Sequence, residues 1–110
     1  MINQEYHAIL RDTLYNQDIN IWNQWRNDNP YIRPVLNALN LGEINLSEIN
    51  LSEINLSRTD FGVINLSRTN LSGANLSGAN MGGADLGRAN LSGANLTDAD
   101  LSGTILYGTN

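Results

Sequence analysis

The chain has 110 residues, 15% of them charged, with a formal net charge of −5 and no cysteine. That length allows one small domain. The missing cysteines exclude a disulfide framework and thiolate chemistry, and the acidic balance excludes the basic face that direct nucleic-acid binding needs.

The opening MINQEYHAILRD has neither a basic n-region nor an apolar h-region, so no signal peptide is expected. No apolar run approaches a membrane span, and a soluble, cytoplasmic protein is expected. From here to Pro34 the chain is rich in aromatics: Tyr6, Tyr15, Trp22, Trp25 and Tyr31. Tyr6, Ile9, Leu10 and Leu14 recur at helical spacing and predict a first helix, with Asn3 as its cap. YNQD breaks that pattern. Asp18 can cap a second helix carrying Ile19, Ile21, Trp22 and Trp25. Pro30 disfavours helix at Asn29 and ends it, and Pro34 marks a further bend. Residues 1–34 are therefore expected to form a helical cap and 35–110 a different structure, the two making one cooperative domain.

After Pro34 the sequence repeats every five residues. Large apolar residues occupy fifteen consecutive fifth positions, Leu36, Leu41, Leu46 and onward through Phe61 and Met81 to Leu106. Two residues before each stands a second inward candidate: Leu39, Ile44, Ile49, Ile54, Thr59, Ile64, Thr69, then Ala74 to Ala99, then Thr104 and Thr109. Asn or Asp sits between the two, and Ser-Gly most often follows. A continuous helix fails here, because five residues advance roughly 140° past a full turn and scatter the leucines. A continuous strand fails too, because five is odd and successive leucines would alternate faces. The conflict disappears if the chain turns a corner after each leucine. Each unit is then a short extended piece with two inward residues. Glycine at the second corner position permits positive φ, as a type II turn demands. Units with Glu48, Glu53, Arg58, Val63, Arg68, Arg88 or Asp98 there are expected to use another turn type.

The run ANLSGANMGGADLGRANLSGANLTDADL, Ala74 to Leu101, resembles the pentapeptide-repeat family, whose unit is A(D/N)Lxx. The resemblance implies an all-β solenoid, a right-handed quadrilateral β-helix with four units per coil. At an inter-strand spacing of about 4.8 Å, just under four coils would stand roughly 15 to 20 Å tall. WNQWRNDNPYIRP is similar to the helical caps that precede such repeats in cyanobacterial members, although Val35-Leu36 stands where those caps often have Asp-Leu.

Leu39, Ile44, Ile49 and Ile54 take positions where the family prefers alanine. Overpacking a closed core costs about 1–3 kcal/mol per site. The first coil is therefore expected to be wider, with its isoleucines covered by Trp22 and Trp25. At the other end Ile105 replaces Asn/Asp and Tyr107 lies in a corner, so both are expected to face outward. A β-helix end exposes unpaired backbone and apolar core. Ile105 and Tyr107 are thus the candidate interface, for a homodimer or an unknown protein partner. The alternative is a tail that folds over its own end. Family members do dimerise end to end, typically with added helical elements.

No catalytic, metal or cofactor site is expected, and no small-molecule substrate. His7 is the lone histidine and sits on a helix. Asp60, Asp85 and Asp100 occupy the Asn/Asp slot and are expected to bond nearby backbone. Stacked Asn residues could form amide ladders. The corner serines have no base beside them, and the glycines follow the repeat rather than a phosphate-binding motif. With four units per coil, Glu48, Arg68 and Arg88 share one face, a surface ion pair worth about 0–1 kcal/mol. Glu43, Glu48 and Glu53 fall on successive faces, as a solvated ring or a rim for a basic partner. The first functional expectation is a non-catalytic structural or protein–protein interaction module. The second follows from the resemblance: a DNA mimic acting on gyrase, which some family members inhibit or protect. It needs a long acidic surface, and the repeat offers seven acidic against three basic side chains (Glu43, Glu48, Glu53, Asp60, Asp85, Asp98 and Asp100; Arg58, Arg68 and Arg88).

Overall fold

The structure is a computed structural model that describes residues 2–36, 41 and 44–110. The expectations for Leu39 and Glu43 lie outside the described residues. Helix α1 spans Ile2–Asn16 and α2 spans Ile19–Asp28. α1 begins at Ile2, so Asn3 lies inside the first turn instead of capping it. Tyr6 and Leu10 are buried, with Ile9 and Leu14 packed against the same core. Gln17, at φ 53°, breaks the chain direction between the helices. Asp18 caps α2, its carboxylate accepting the Asn20 N–H at 3.0 Å. Asn29, at φ −130° and ψ 61° before Pro30, caps the C-terminus of α2.

From Val35 onward every isolated β-bridge is parallel and joins residues twenty apart, for example Val35 to Asn55 and Asn45 to Asn65 to Asp85 to Ile105. Twenty residues are four five-residue units, so each coil has four sides. The bonding repeats with the same register. The Asn70 N–H donates to the Ile49 carbonyl one coil back at 3.1 Å, and the Leu51 N–H donates to the Asn70 carbonyl one coil ahead at 2.8 Å. One residue per side makes the bridge because the chain turns before a longer strand can form. A bond such as Ala74 N–H to Leu71 C=O, 3.1 Å, closes most of the turns.

The corners are more uniform than the sequence suggests. Glu48, Glu53, Arg58, Arg68, Arg88 and Asp98 all hold φ between 57° and 68°, beside glycines such as Gly73 at 69°. The expectation of a different turn at these six is overturned. Coils stack through backbone bonds at corners such as Glu48, Glu53, Arg58, Arg68 and Arg88, as from the Arg68 N–H to the Gly87 carbonyl at 2.8 Å. A corner of another shape would break that bonding, so an unbranched side chain is forced into the left-handed region at about 1–2 kcal/mol. Val63 is the exception that sterics require, since a β-branched residue there is a genuine outlier. Gly62 takes the positive φ of 58° instead, and this corner is a bend without the closing bond.

Inside, the leucine column is buried from Leu36 to Leu86 among the described residues. The second column carries Ile49, Ile54, Thr59, Ile64, Thr69 and then alanines. Thr59 and Thr69 are fully enclosed, and their hydroxyls donate to the Leu36 and Leu46 carbonyls at 3.5 and 3.3 Å. Those bonds offset the cost of burying hydroxyls. The larger first-coil residues are accommodated with inter-coil bonds still at 2.8–3.1 Å, as from Leu46 to Asn65 and from Asn65 to Ile44.

Each Asn/Asp side chain folds onto its own corner. Oδ1 of Asp60, Asp85 and Asp100 accepts the N–H two residues on at 3.1, 2.9 and 2.9 Å, as expected of turn-forming carboxylates. The asparagines do the same, as Asn75 does with Ser77 at 3.0 Å. Among the described residues the side chains form no continuous amide ladder. Among the described residues one ladder step is present, Asn80 Nδ2 to Asp60 at 3.3 Å. The expected Glu48–Arg68 ion pair is also absent. The ion pair among the described residues joins Arg33 to Glu53, again twenty apart.

Candidate functional site

The two ends of the stack differ. At the first coil, side chains of α2 replace the rung that a preceding coil would supply. Asn23 Oδ1 accepts the Asn50 N–H at 2.8 Å, and its Nδ2 donates to the Glu48 carbonyl at 3.1 Å. Trp22 Nε1 donates to the Asn50 carbonyl at 2.7 Å. Arg26 Nη2 donates to the Ser52 carbonyl at 2.8 Å, and Nη1 reaches Asn50 at 3.4 Å. The Val35 N–H donates to the Tyr6 hydroxyl at 3.2 Å. Edge groups that would otherwise be unpaired are thereby satisfied.

Trp22 and Trp25 are buried, with ring centroids 5.5 Å apart, and Tyr6 lies 6.1 Å from Trp25. Ile49 and Ile54 are buried in the same core cluster, and Ile44 is partly buried against it. Burial, and Arg33 nearby, lower the Arg26 pKa from the usual guanidinium value. Among the described residues Arg26 Nε and Trp25 Nε1 are buried without partners. Sequence reading singled out the tryptophans and missed Asn23 and Arg26. Their signal was present in WNQWR: Trp22, Asn23 and Arg26 stand three and four residues apart on one helix face.

The last coil is open. Leu91, Leu96 and Leu101 are only partly buried, and Leu106, placed inward by its period, is 44% exposed. Ile105 and Tyr107 are 52% and 74% exposed. No described backbone bond reaches the N–H groups of Leu96, Leu101 and Leu106, whereas in the coil before them Leu76, Met81 and Leu86 are bonded at 2.8 Å. The column loses its cover because no further coil stacks upon it within residues 91–110.

Beside Ile105 a groove of about 390 Å³ runs along one corner of the stack, lined by Ser67, Arg68, Asp85, Gly87, Arg88, Ile105 and Tyr107. The Arg88 guanidinium lies 5.7 Å from the Tyr107 ring centre. His7 is exposed on α1 with its ring against Tyr6, 4.9 Å between centroids. The serine hydroxyls of Ser52, Ser72 and Ser102 donate to Asn50, Asn70 and Asp100 at 2.7 Å and are part of their own turns. Among the described residues no His/Cys/Asp/Glu group could hold a metal ion, and no helix is long and apolar enough to cross a membrane.

Residues 69–110 match the pentapeptide repeats family, in eight copies. Among solved structures, a pentapeptide repeat protein from Nostoc is 38% identical over 66% of this chain and 64% of its own, with a TM-score of 0.54. HetL, a pentapeptide repeat protein involved in heterocyst differentiation regulation from the cyanobacterium Nostoc, is 30% identical over 70% of this chain and 46% of its own, with a TM-score of 0.50. A pentapeptide repeat protein from the cyanobacterium Cyanothece is 37% identical over 72% and 61%, with a TM-score of 0.40. This chain thus spans less than two thirds of the length of each. No curated protein matches it. The repeat spelled out from Leu36, the twenty-residue bridging register, the family match and the two Nostoc structures agree: the chain belongs to the pentapeptide-repeat family and has its fold, a right-handed quadrilateral β-helix behind a short helical cap.

Proposed function

We propose that this chain is a non-catalytic cytoplasmic interaction module that docks a second copy of itself through its last coil, with cap (1–34) and β-helix (35–110) acting as one cooperative domain. The observation that carries this reading is the last coil itself, where exposed Leu106 lies beside Ile105 and Tyr107 next to unbonded N–H groups. An uncovered apolar β-edge of this kind invites pairing. Among the described residues the opposite end is covered at Glu48, Asn50 and Ser52 by Asn23, Trp22 and Arg26, so the partner that presents a matching open edge is a second last coil. Such a contact is self-complementary and closes at two copies rather than propagating into a filament.

The absence of catalysis is supported by what the polar groups do. Aspartates and serines of the repeat are engaged in their own corners. The DNA-mimic reading receives no comparable support: Glu53 is paired with Arg33, and Arg68 and Arg88 interrupt the acidic surface.

Light scattering on the wild type and on the double variant Ile105→Asn, Tyr107→Ser tests the proposal. A wild-type dimer that the double variant converts to monomer, with unchanged circular dichroism, is expected. A wild type that stays monomeric at high concentration removes the self-docking reading.

A further inference from the structure

The groove beside the last coil has a chemistry that end-on docking does not use. Arg68 and Arg88 occupy the same corner in neighbouring coils, so their Cα atoms are separated by about one inter-strand spacing of 4.8 Å. Among the described residues neither guanidinium lies within ion-pair distance of a carboxylate; the ion pair there belongs to Arg33 and Glu53. Glu48 stands at the same corner one coil before Arg68, but no described ion pair joins the two; the stacked guanidiniums of Arg68 and Arg88 repel each other, and an anion between them removes that repulsion.

The groove's other walls narrow the choice of anion. Arg88 is held in place at two points. Its stem passes over Gly108, where an added Cβ would come within 3.1 Å of Arg88 Cγ. Its guanidinium faces the Tyr107 ring at 5.7 Å. Ile105 lies on the bridge after Asp85 and supplies an apolar wall. Asp85 turns Oδ1 to the Gly87 N–H at 2.9 Å and keeps a negative charge in the groove, which disfavours a densely charged anion. A bare phosphate fits this combination poorly. A single carboxylate flanked by apolar side chains fits it well: the carboxylate meets the planar guanidinium forks, and its neighbours lie against Ile105 and Tyr107.

We propose that this corner groove binds an extended segment of a partner protein in which a glutamate or aspartate alternates with apolar residues, Arg68 and Arg88 receiving the carboxylate. The site shares Ile105 and Tyr107 with the end-on contact but does not depend on it. Oligomeric state reads the one and peptide binding the other.

The test is fluorescence anisotropy on the full chain with a short labelled peptide of alternating valine and glutamate, ends blocked. The matching valine–glutamine peptide is the control, and inorganic phosphate is the competitor. The valine–glutamate peptide should bind, weaken as salt is raised, and prefer the chain over the glutamine control by about tenfold or more, as for a charge-assisted contact. Arg68→Gln with Arg88→Gln should abolish that preference, and Arg58→Gln, at a different corner, should leave it intact. Equal binding of the two peptides, no binding of either, or displacement by millimolar phosphate would overturn the proposal. The peptide comparison on the unaltered chain decides without any variant having to fold.

Discussion

Replacing Trp22 with alanine should unfasten the cap from the first coil. The indole is fully buried and its Nε1 donates to the Asn50 carbonyl at 2.7 Å. Truncating a buried aromatic costs about 3–5 kcal/mol, out of a total stability of about 5–15 kcal/mol for a domain. The melting temperature should fall by roughly 15–30 °C. Phenylalanine at the same place separates hydrogen bonding from volume. Trp22→Phe keeps most of the packing and loses the bond, for about 2 kcal/mol. Trp25→Phe should change stability by about 1 kcal/mol or less, because Trp25 Nε1 is buried with no partner among the described residues and removing an unsatisfied donor offsets the lost ring volume. Urea unfolding followed by tryptophan fluorescence and by far-ultraviolet circular dichroism is the assay. Both tryptophans lie in the cap, so coincident transitions would support one cooperative unit. A Trp22→Ala loss below about 1 kcal/mol, or equal costs for the two phenylalanine variants, would refute the reasoning.

Two further outcomes follow from the corners. Arg58→Gly should stabilise the chain by about 1 kcal/mol, because Arg58 holds φ 59° at a cost glycine does not bear; Val63→Gly, whose residue is not at positive φ, should not share that gain, as thermal melts of the pair would show. The Ser102 hydroxyl and N–H hold the Asp100 pKa below the usual carboxylate value. A depressed folded pKa means the contribution is present above the unfolded pKa, about 3.9, and is lost as pH falls through the folded value. Asp100→Asn should therefore flatten the acid limb of the stability profile, and an unchanged limb would show that the carboxylate's bonds to Ser102 contribute nothing.

The repeat was legible because its period is incompatible with both regular structures. Fifteen large apolar residues at every fifth position leave a turning chain as the remaining arrangement that buries them together. The Asn/Asp role was legible as well, since these side chains bond locally whatever surrounds them. The corner conformations were not. Arg68 or Glu48 alone favours a turn with negative φ, and only the bonds to the coils on either side force the left-handed one. Arg33–Glu53 was missed for a related reason, as Arg33 reads as part of the cap until Val35 pairs with Asn55.

The sequence by itself determined the turning unit, its two inward columns, the two short helices and the outward placement of Ile105 and Tyr107. These depend on contacts within a few residues and on the arithmetic of periodicity. The tertiary structure alone decided what each coil does to its neighbours. It bent unbranched side chains into positive φ, set Asn23 and Arg26 against the first coil's open backbone, left Leu106 uncovered and kept Glu48 out of ion-pair distance of Arg68. The contacts behind these join residues nineteen or more apart, and their free energies appear only once the coils have closed on one another.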